Sequence, residues 1–357
     1  MLLDGDNSSN YFEPELDNFT YLLTNYSADG PSQVRIPVPI SREFSAYVRI
    51  TASVACSLIL IFGGIGNILV ATTIWKTKEL RNSMNLFLVN LSLADLLILL
   101  VCVPPVLVEL HSDPYFWMLG KGLCKAIPYA QLTAAHVSVL TILSISFERY
   151  YAICKPLKAG YKCTQMRAIS IIVVIWLVAV LSTLPVLLTI HYYAAKDLLT
   201  EDPRPICYMR VEQLWEKLYY LLAISVFYAL PFLILLAVCC HIRRHLMKSN
   251  KMLERSNEAT QMRSRKQVVI MLVAVIVSFF LCLLPFRVFT IWLIFSSQED
   301  IINLGMETSY TLMYICRLLI YINAALNPII YSAISSKFRN FFFRLLGCSS
   351  LRNRLTR

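Results

Sequence analysis

The sequence predicts an all-α membrane protein, a seven-transmembrane helix bundle. Three observations carry that reading. The chain of 357 residues is 57% hydrophobic and only 15% charged, against about 25% charge in a soluble domain. Its apolar residues gather in seven runs, at about 47–75, 84–110, 121–154, 167–190, 215–246, 266–296 and 306–332, each long enough for a hydrocarbon core that needs about 20 residues. The basic residues behind the net charge of +11 fall between alternate runs. The composition excludes a disordered chain, a collagen-like repeat and a small disulfide scaffold. It also leaves an ordinary soluble enzyme short of surface charge.

Orientation follows from Lys and Arg. One side holds the 1–2, 3–4 and 5–6 connections and the C-terminal tail, with 22 of the 33 basic residues and the acids Glu79, Glu148, Glu254 and Glu258. That side is expected in the cytoplasm. Residues 1–46 are then an extracellular tail, 47–334 the membrane domain, and 335–357 a cytoplasmic tail. The outer tail carries acids from Asp4 to Glu43 and glycosylation sequons at Asn7, Asn18 and Asn25. Met1-Leu2-Leu3 runs straight into Asp4 and Asp6, unlike a secretory signal peptide, so the first span is expected to act as the internal signal. With most of the charge accounted for by topology, nucleic acid is not an expected partner.

Of 11 cysteines, only Cys124, at the outer end of span three, and Cys207, in the 4–5 loop, fall in oxidising space. A disulfide between them is expected. The halves of the chain show no repeat, which counts against an inverted-repeat transporter. The 5–6 loop, about 247–263, reads as short and polar. The five histidines (His111, His136, His191, His241, His245) lie scattered and suggest no metal cluster.

Polar groups inside the spans are costly and so point to function. Asp95 lies deep in span two, with Asn67, Ser138, Asn323 and Asn327 at similar depth. These residues either hold a sodium ion through oxygen ligands or form a helix-packing polar network. Glu148-Arg149-Tyr150 closes span three, about 38 Å from Cys124 at 1.5 Å per residue. Arg149 and Glu148 can pair locally there, or Arg149 can simply snorkel to the interface. Pro104, Pro105, Pro231, Pro285 and Pro328 interrupt four spans, and each releases a backbone carbonyl.

Asn67 after Gly66, Asp95 in Leu-x-x-x-Asp, Glu-Arg-Tyr at 148–150, Trp176, Pro231, Cys282-x-x-Pro285 and Asn-Pro-x-x-Tyr at 327–331 occur in order, one per span. Over about residues 45–346 the chain resembles the rhodopsin-like (class A) G-protein-coupled receptors. The resemblance implies a plasma-membrane receptor that is not an enzyme, with an outside ligand and a heterotrimeric G protein as partners. Arg149 would be held by Glu148 when inactive and meet the G protein when active, with Tyr150, Asn327, Pro328 and Tyr331 in the switch. Phe279, Pro231 and Val139 match the family's packing cluster. Asp95, Ser138, Asn323 and Asn327 match its sodium pocket, an allosteric site rather than a cofactor. Phe338, Phe341, Phe342 and Leu345 match the short interfacial eighth helix lying on membrane lipid, with Cys348 beyond it as a palmitoylation site. Three departures stand out. Leu283 replaces the usual Trp, Cys239 the usual Tyr of span five, and Arg265 and Lys266 replace an acid at the start of span six.

The position at which amine receptors carry Asp is Gln131, so an amine ligand is disfavoured. Instead Arg287 and Arg317 lie in the outer halves of spans six and seven, where a guanidinium fork suits carboxylate or carbonyl oxygens. Glu109 can balance one of them, which leaves open an internal Arg–Glu pair. Cys-Leu-Leu-Pro-Phe-Arg at 282–287, Arg317, His136 to Thr141 and Phe147 to Cys154 resemble the neuropeptide-type ecdysis-triggering-hormone receptors of invertebrates, which are similar to the thyrotropin-releasing-hormone receptors. That resemblance implies a C-terminally amidated peptide ligand and Gq-class coupling with calcium release. Arg287 and Arg317 would take its carbonyls or amide, with Gln131, Tyr129 and Tyr310 as neighbours. A class A receptor for a lipid or small anion is the nearer alternative reading, and a transporter the more distant one.

Overall fold

A computed structural model of the chain describes residues 35–36, 46–77, 80–112, 116–197, 203–209, 211–252, 259–297, 300, 303–334 and 339. Among the described residues, seven helices are long and apolar enough to cross a membrane: Ala46–Lys76, Ser83–His111, Gly120–Cys154, Gln165–Thr189, Leu214–Lys248, Lys266–Phe295 and Thr308–Ile334. Each end lies within two residues of the run read from the sequence. The sequons at Asn7, Asn18 and Asn25, the apolar face of the eighth helix and Cys348 lie outside the described residues.

Span three is the central post, packed against spans two, four, five and six, while span seven closes on one and six. Burial follows helical periodicity. On span one, Gly63, Gly64, Asn67 and Val70 face the bundle, and Ile61, Phe62, Ile65 and Ile68 face outward. Outward apolar side chains are what a lipid solvent requires, so the hydrophobic content is not one large soluble core. Gly63 permits close contact between helices. A Cβ there would lie 2.9 Å from Ala325 Cβ on span seven and 2.9 Å from Leu99 Cδ1 on span two.

The prolines are absorbed in two ways. Ile98–Cys102 forms a π-helical turn just ahead of Pro104 and Pro105. Ser225–Ala229 forms another ahead of Pro231. Such a turn takes up the residue left without a regular ladder partner. Pro285 and Pro328 instead sit within continuous helices. The loop expected at 247–263 is shorter than the sequence suggested, because the flanking helices run Leu230–Met252 and Ala259–Phe295. Polarity ends a membrane span, but Lys, Met and Gln are good helix formers, and the helices continue beyond it.

At one end of the bundle, strands β1 (Arg35–Ile36), β2 (Ile190–Asp197) and β3 (Pro203–Met209) form a small sheet. β2 and β3 pair as an antiparallel hairpin, and β1 lies parallel to β2. The expected disulfide is present. Cys124 is bonded to Cys207 with Cα atoms 5.8 Å apart, tying β3 to span three. The Trp117 backbone N–H donates to Pro205 O at 2.7 Å and Lys125 Nζ to Leu187 O at 2.8 Å. The hairpin is thereby held over the bundle.

Candidate functional site

The two arginines singled out by the sequence lie in the disulfide-end half of the bundle, and their surroundings differ. Arg317 Nη1 donates to Glu109 Oε2 at 2.8 Å, linking spans seven and two. Its guanidinium carbon stands 6.0 Å from the centre of the Tyr314 ring. Arg317 therefore has its counter-ion inside the protein. Arg287 is buried, and its Nε has no hydrogen-bond partner among the described residues. Its guanidinium carbon stands 5.9 Å from the centre of the Phe286 ring, and Tyr219, Tyr228 and His136 are within electrostatic range of it.

Those neighbours are themselves positioned. Tyr219 Oη donates to Ser182 O at 3.0 Å and Tyr228 Oη to Phe280 O at 2.8 Å. The His136 ring stacks on Phe227 at 3.7 Å with an interplanar angle of 10°. Its Nδ1 lies 3.1 Å from Ser182 Oγ. Gln131 and Tyr310 are half-buried. Tyr129 directs its hydroxyl to Val180 O on span four at 3.2 Å. Sequence reasoning did not single out Tyr219, Tyr228 or His136 as neighbours of Arg287. The signal available for His136 was an ionisable ring within a span.

Midway along the bundle, Asp95 Oδ2 accepts from Asn327 Nδ2 at 2.8 Å. Asn67 Nδ2 donates to Gly63 O at 2.9 Å and Ala324 O at 3.0 Å, bridging spans one and seven. Asp95 Oδ1, Ser92 Oγ, Ser138 Oγ, Asn323 Oδ1 and Asn327 Oδ1 are buried without hydrogen-bond partners among the described residues. An unsatisfied buried oxygen costs free energy. Oxygens of this kind are the donors a hard cation takes, so the residues present fit a sodium ion. Nearby, Trp176 Nε1 donates to Asn90 Oδ1 at 2.8 Å and Asn90 Nδ2 to Thr141 Oγ1 at 2.8 Å, tying spans two, three and four.

At the opposite end, Glu148 Oε2 accepts from Ser83 Oγ at 2.9 Å. Arg149 stands 4.0 Å from the same oxygen. The local pair read from the sequence is therefore the looser contact, and Ser83, at the foot of span two, is the tighter one. Ile153, Ile242, Leu246 and Val269 form a small cluster joining spans three, five and six, with Tyr150, Cys154 and Val238 against it. It closes this end of the bundle. Above it Phe279, Val139, Pro231 and Tyr331 are buried.

The chain was compared with known proteins. The family described as 7 transmembrane receptor (rhodopsin family) matches residues 66–331. The chain belongs to this family. It is therefore a multi-pass membrane receptor and not an enzyme. It is 31% identical over 307 residues to the human growth hormone secretagogue receptor type 1, covering 85% of this chain and 82% of that protein. The same receptor from Mustela putorius furo is 31% identical over 308 residues, with 85% and 82% covered. A QRFP-like peptide receptor from Branchiostoma floridae is 29% identical over 320 residues, covering 87% and 81%. Against that background the departures are concrete. Leu283, where the family usually has Trp, is buried in the core of this receptor. Cys239, where the usual Tyr of span five is missing, is half-buried.

Proposed function

We propose that this receptor lies in the plasma membrane with its N-terminus and disulfide end outside, and that it binds a short extracellular peptide ending in a carboxamide. The binding activates a heterotrimeric G protein of the Gq class and releases calcium. The observation that carries the reading is Arg287, a buried guanidinium whose Nε lacks a partner, beside a second arginine already neutralised by Glu109. A buried guanidinium N–H without a partner is costly, and a carbonyl oxygen satisfies it. The peptide named in the QRFP-like receptor supports that ligand class over a free anion. The ecdysis-triggering-hormone resemblance supports the amide.

Activation is a shift of population. Peptide bound outside favours an arrangement in which span six swings away from spans three and five and the cluster around Val269 opens. A Gα C-terminal helix then meets Arg149. The peptide shifts this equilibrium only by its differential affinity for the two states. The oxygens around Asp95 hold sodium and oppose the change.

Calcium release in transfected cells against a panel of amidated peptides tests the reading. A peptide that activates the receptor is expected to lose potency by about tenfold or more with Arg287→Ala, since a hydrogen bond to a charged group contributes about 1.5–3 kcal/mol. Unchanged potency at normal surface expression overturns the anchoring role. Response to a lipid or small anion alone favours the other receptor class.

A further inference from the structure

Span one ends in an exposed aromatic ring with a cation held against it. Trp75 is 73% exposed and lies one residue from the end of the helix Ala46–Lys76. Its backbone oxygen is one of the last four carbonyls of that helix, which have no partner within the helix. Arg81 supplies one. Its Nε donates to Trp75 O at 2.9 Å, and its Nη2 donates to the same oxygen. The guanidinium carbon stands 5.7 Å from the centre of the Trp75 ring. Gln165 Nε2, at the start of span four, donates to Arg81 O. Arg81 is thus joined to the feet of spans one and four, at the end of the bundle opposite the disulfide.

The positive charge stays available in this arrangement. A guanidinium has five N–H donors, and Trp75 O engages only Nε and Nη2. Arg81 is exposed, and among the described residues it pairs with no carboxylate. Lys76, next to Trp75, is exposed as well. Span two begins at Ser83, two residues after Arg81, and turns an apolar stripe outward. Leu86 and Val89 on that stripe are half-buried, and Leu93 and Leu100 are exposed. Their spacing of three, four and seven residues is that of one helix face. Tryptophan favours the level of lipid headgroups, and a guanidinium fork suits phosphate oxygens. Cation, ring and stripe therefore match the headgroup, glycerol and acyl chain of one lipid.

We propose that the foot of span one is a binding site for an anionic phospholipid. Its headgroup meets Arg81 and Lys76, its glycerol backbone lies against Trp75, and an acyl chain follows Leu86, Val89 and Leu93. A basic surface by itself attracts anionic lipid without choosing a place. Here the fork is aimed before the lipid arrives, by its bonds to Trp75 O, so less ordering is lost on binding.

The test is independent of the peptide ligand. The full receptor is placed in phosphatidylcholine nanodiscs that contain a minor share of brominated phosphatidylserine or of brominated phosphatidylcholine. Bromine quenches tryptophan fluorescence on contact. The chain has five tryptophans, so each protein is measured with and without Trp75→Phe, and the difference isolates Trp75. Brominated phosphatidylserine should quench Trp75 more strongly than brominated phosphatidylcholine, by about threefold or more. Arg81→Gln keeps an N–H donor for Trp75 O but removes the charge, and should bring the two lipids to parity. Lys76→Gln should lower the preference part way, which keeps the test available if Arg81→Gln does not fold. Lys248→Gln removes an exposed charge from the inner end of span five and should leave the preference intact. Equal quenching by the two lipids in the parent overturns the proposal. So does an unchanged preference in the foot variants that fold, or an equal fall in Lys248→Gln, which would make the effect one of overall charge. Loss of the preference on adding free inorganic phosphate would assign the site to a soluble anion instead of a lipid.

Discussion

Gly63→Ala should loosen the contact between spans one and seven. The new Cβ would stand 2.9 Å from Ala325 Cβ, 2.9 Å from Leu99 Cδ1 and 3.2 Å from Ala325 Cα. Carbon atoms pack best at about 3.5–4.0 Å, so the helices must part by roughly 0.5–1 Å. The leucine methyl can swing aside, but Ala325 is fixed to its backbone and cannot. Overpacking of this kind costs about 1–3 kcal/mol, offset by about 0.8–1 kcal/mol from the better helix propensity of Ala. The net loss is up to about 2 kcal/mol, which lowers the melting temperature by up to about 3 °C in a chain of this size. The displacement also bears on function, because Asn67 bonds both Gly63 O and Ala324 O, one residue from Asn323. Gly64→Ala is the control, since nothing lies within 4 Å of its Cβ position, and its melting temperature should hold or rise slightly. The assay is thermal unfolding of the detergent-solubilised receptor followed with a thiol-reactive dye. An unchanged Gly63→Ala, or an equal fall in both variants, would refute the close-contact reasoning.

Three further outcomes are expected. A double-mutant cycle on Glu109→Gln and Arg317→Gln should show coupling of about 1–3 kcal/mol in thermal stability, and additive losses would dissolve the pair. Ser83→Ala removes the tighter partner of Glu148, so basal signalling should rise by about fivefold for about 1 kcal/mol; basal activity equal to the parent would show that Ser83 does not restrain the switch. Sodium should weaken agonist binding to the parent receptor and leave Asp95→Asn unaffected, and equal sensitivity in the two would remove the ion from this site.

Much of this was legible in the chain because membrane folding constrains sequence severely. Every backbone polar group in lipid must be satisfied inside the protein, by helices or closed barrels, so apolar runs of span length have few folds open to them. The disulfide partners were legible for a related reason, since the side that the positive-inside rule assigns to the exterior held only Cys124 and Cys207. Polar residues within the spans announced themselves through their cost. Partner choice was less visible. Glu148 read as the mate of its neighbour Arg149, yet its closest donor is Ser83, 65 residues earlier. Ser92 looked ordinary until helical phase turned it inward. The helices beyond the membrane at 247–252 and 259–265 were hidden because span hydropathy stops where the lipid does.

The sequence by itself determined the seven spans, their alternation, and the presence of two arginines where lipid would forbid them, because each of these is a local matter of apolar length and charge. Only the tertiary structure decided that the arginines are unlike. Glu109 from span two reaches Arg317 and neutralises it, while Arg287 Nε is buried without a partner among the described residues. That difference depends on how helices are rotated against one another, and rotation is set by packing at Gly63, by the π turns ahead of the prolines, and by long-range hydrogen bonds.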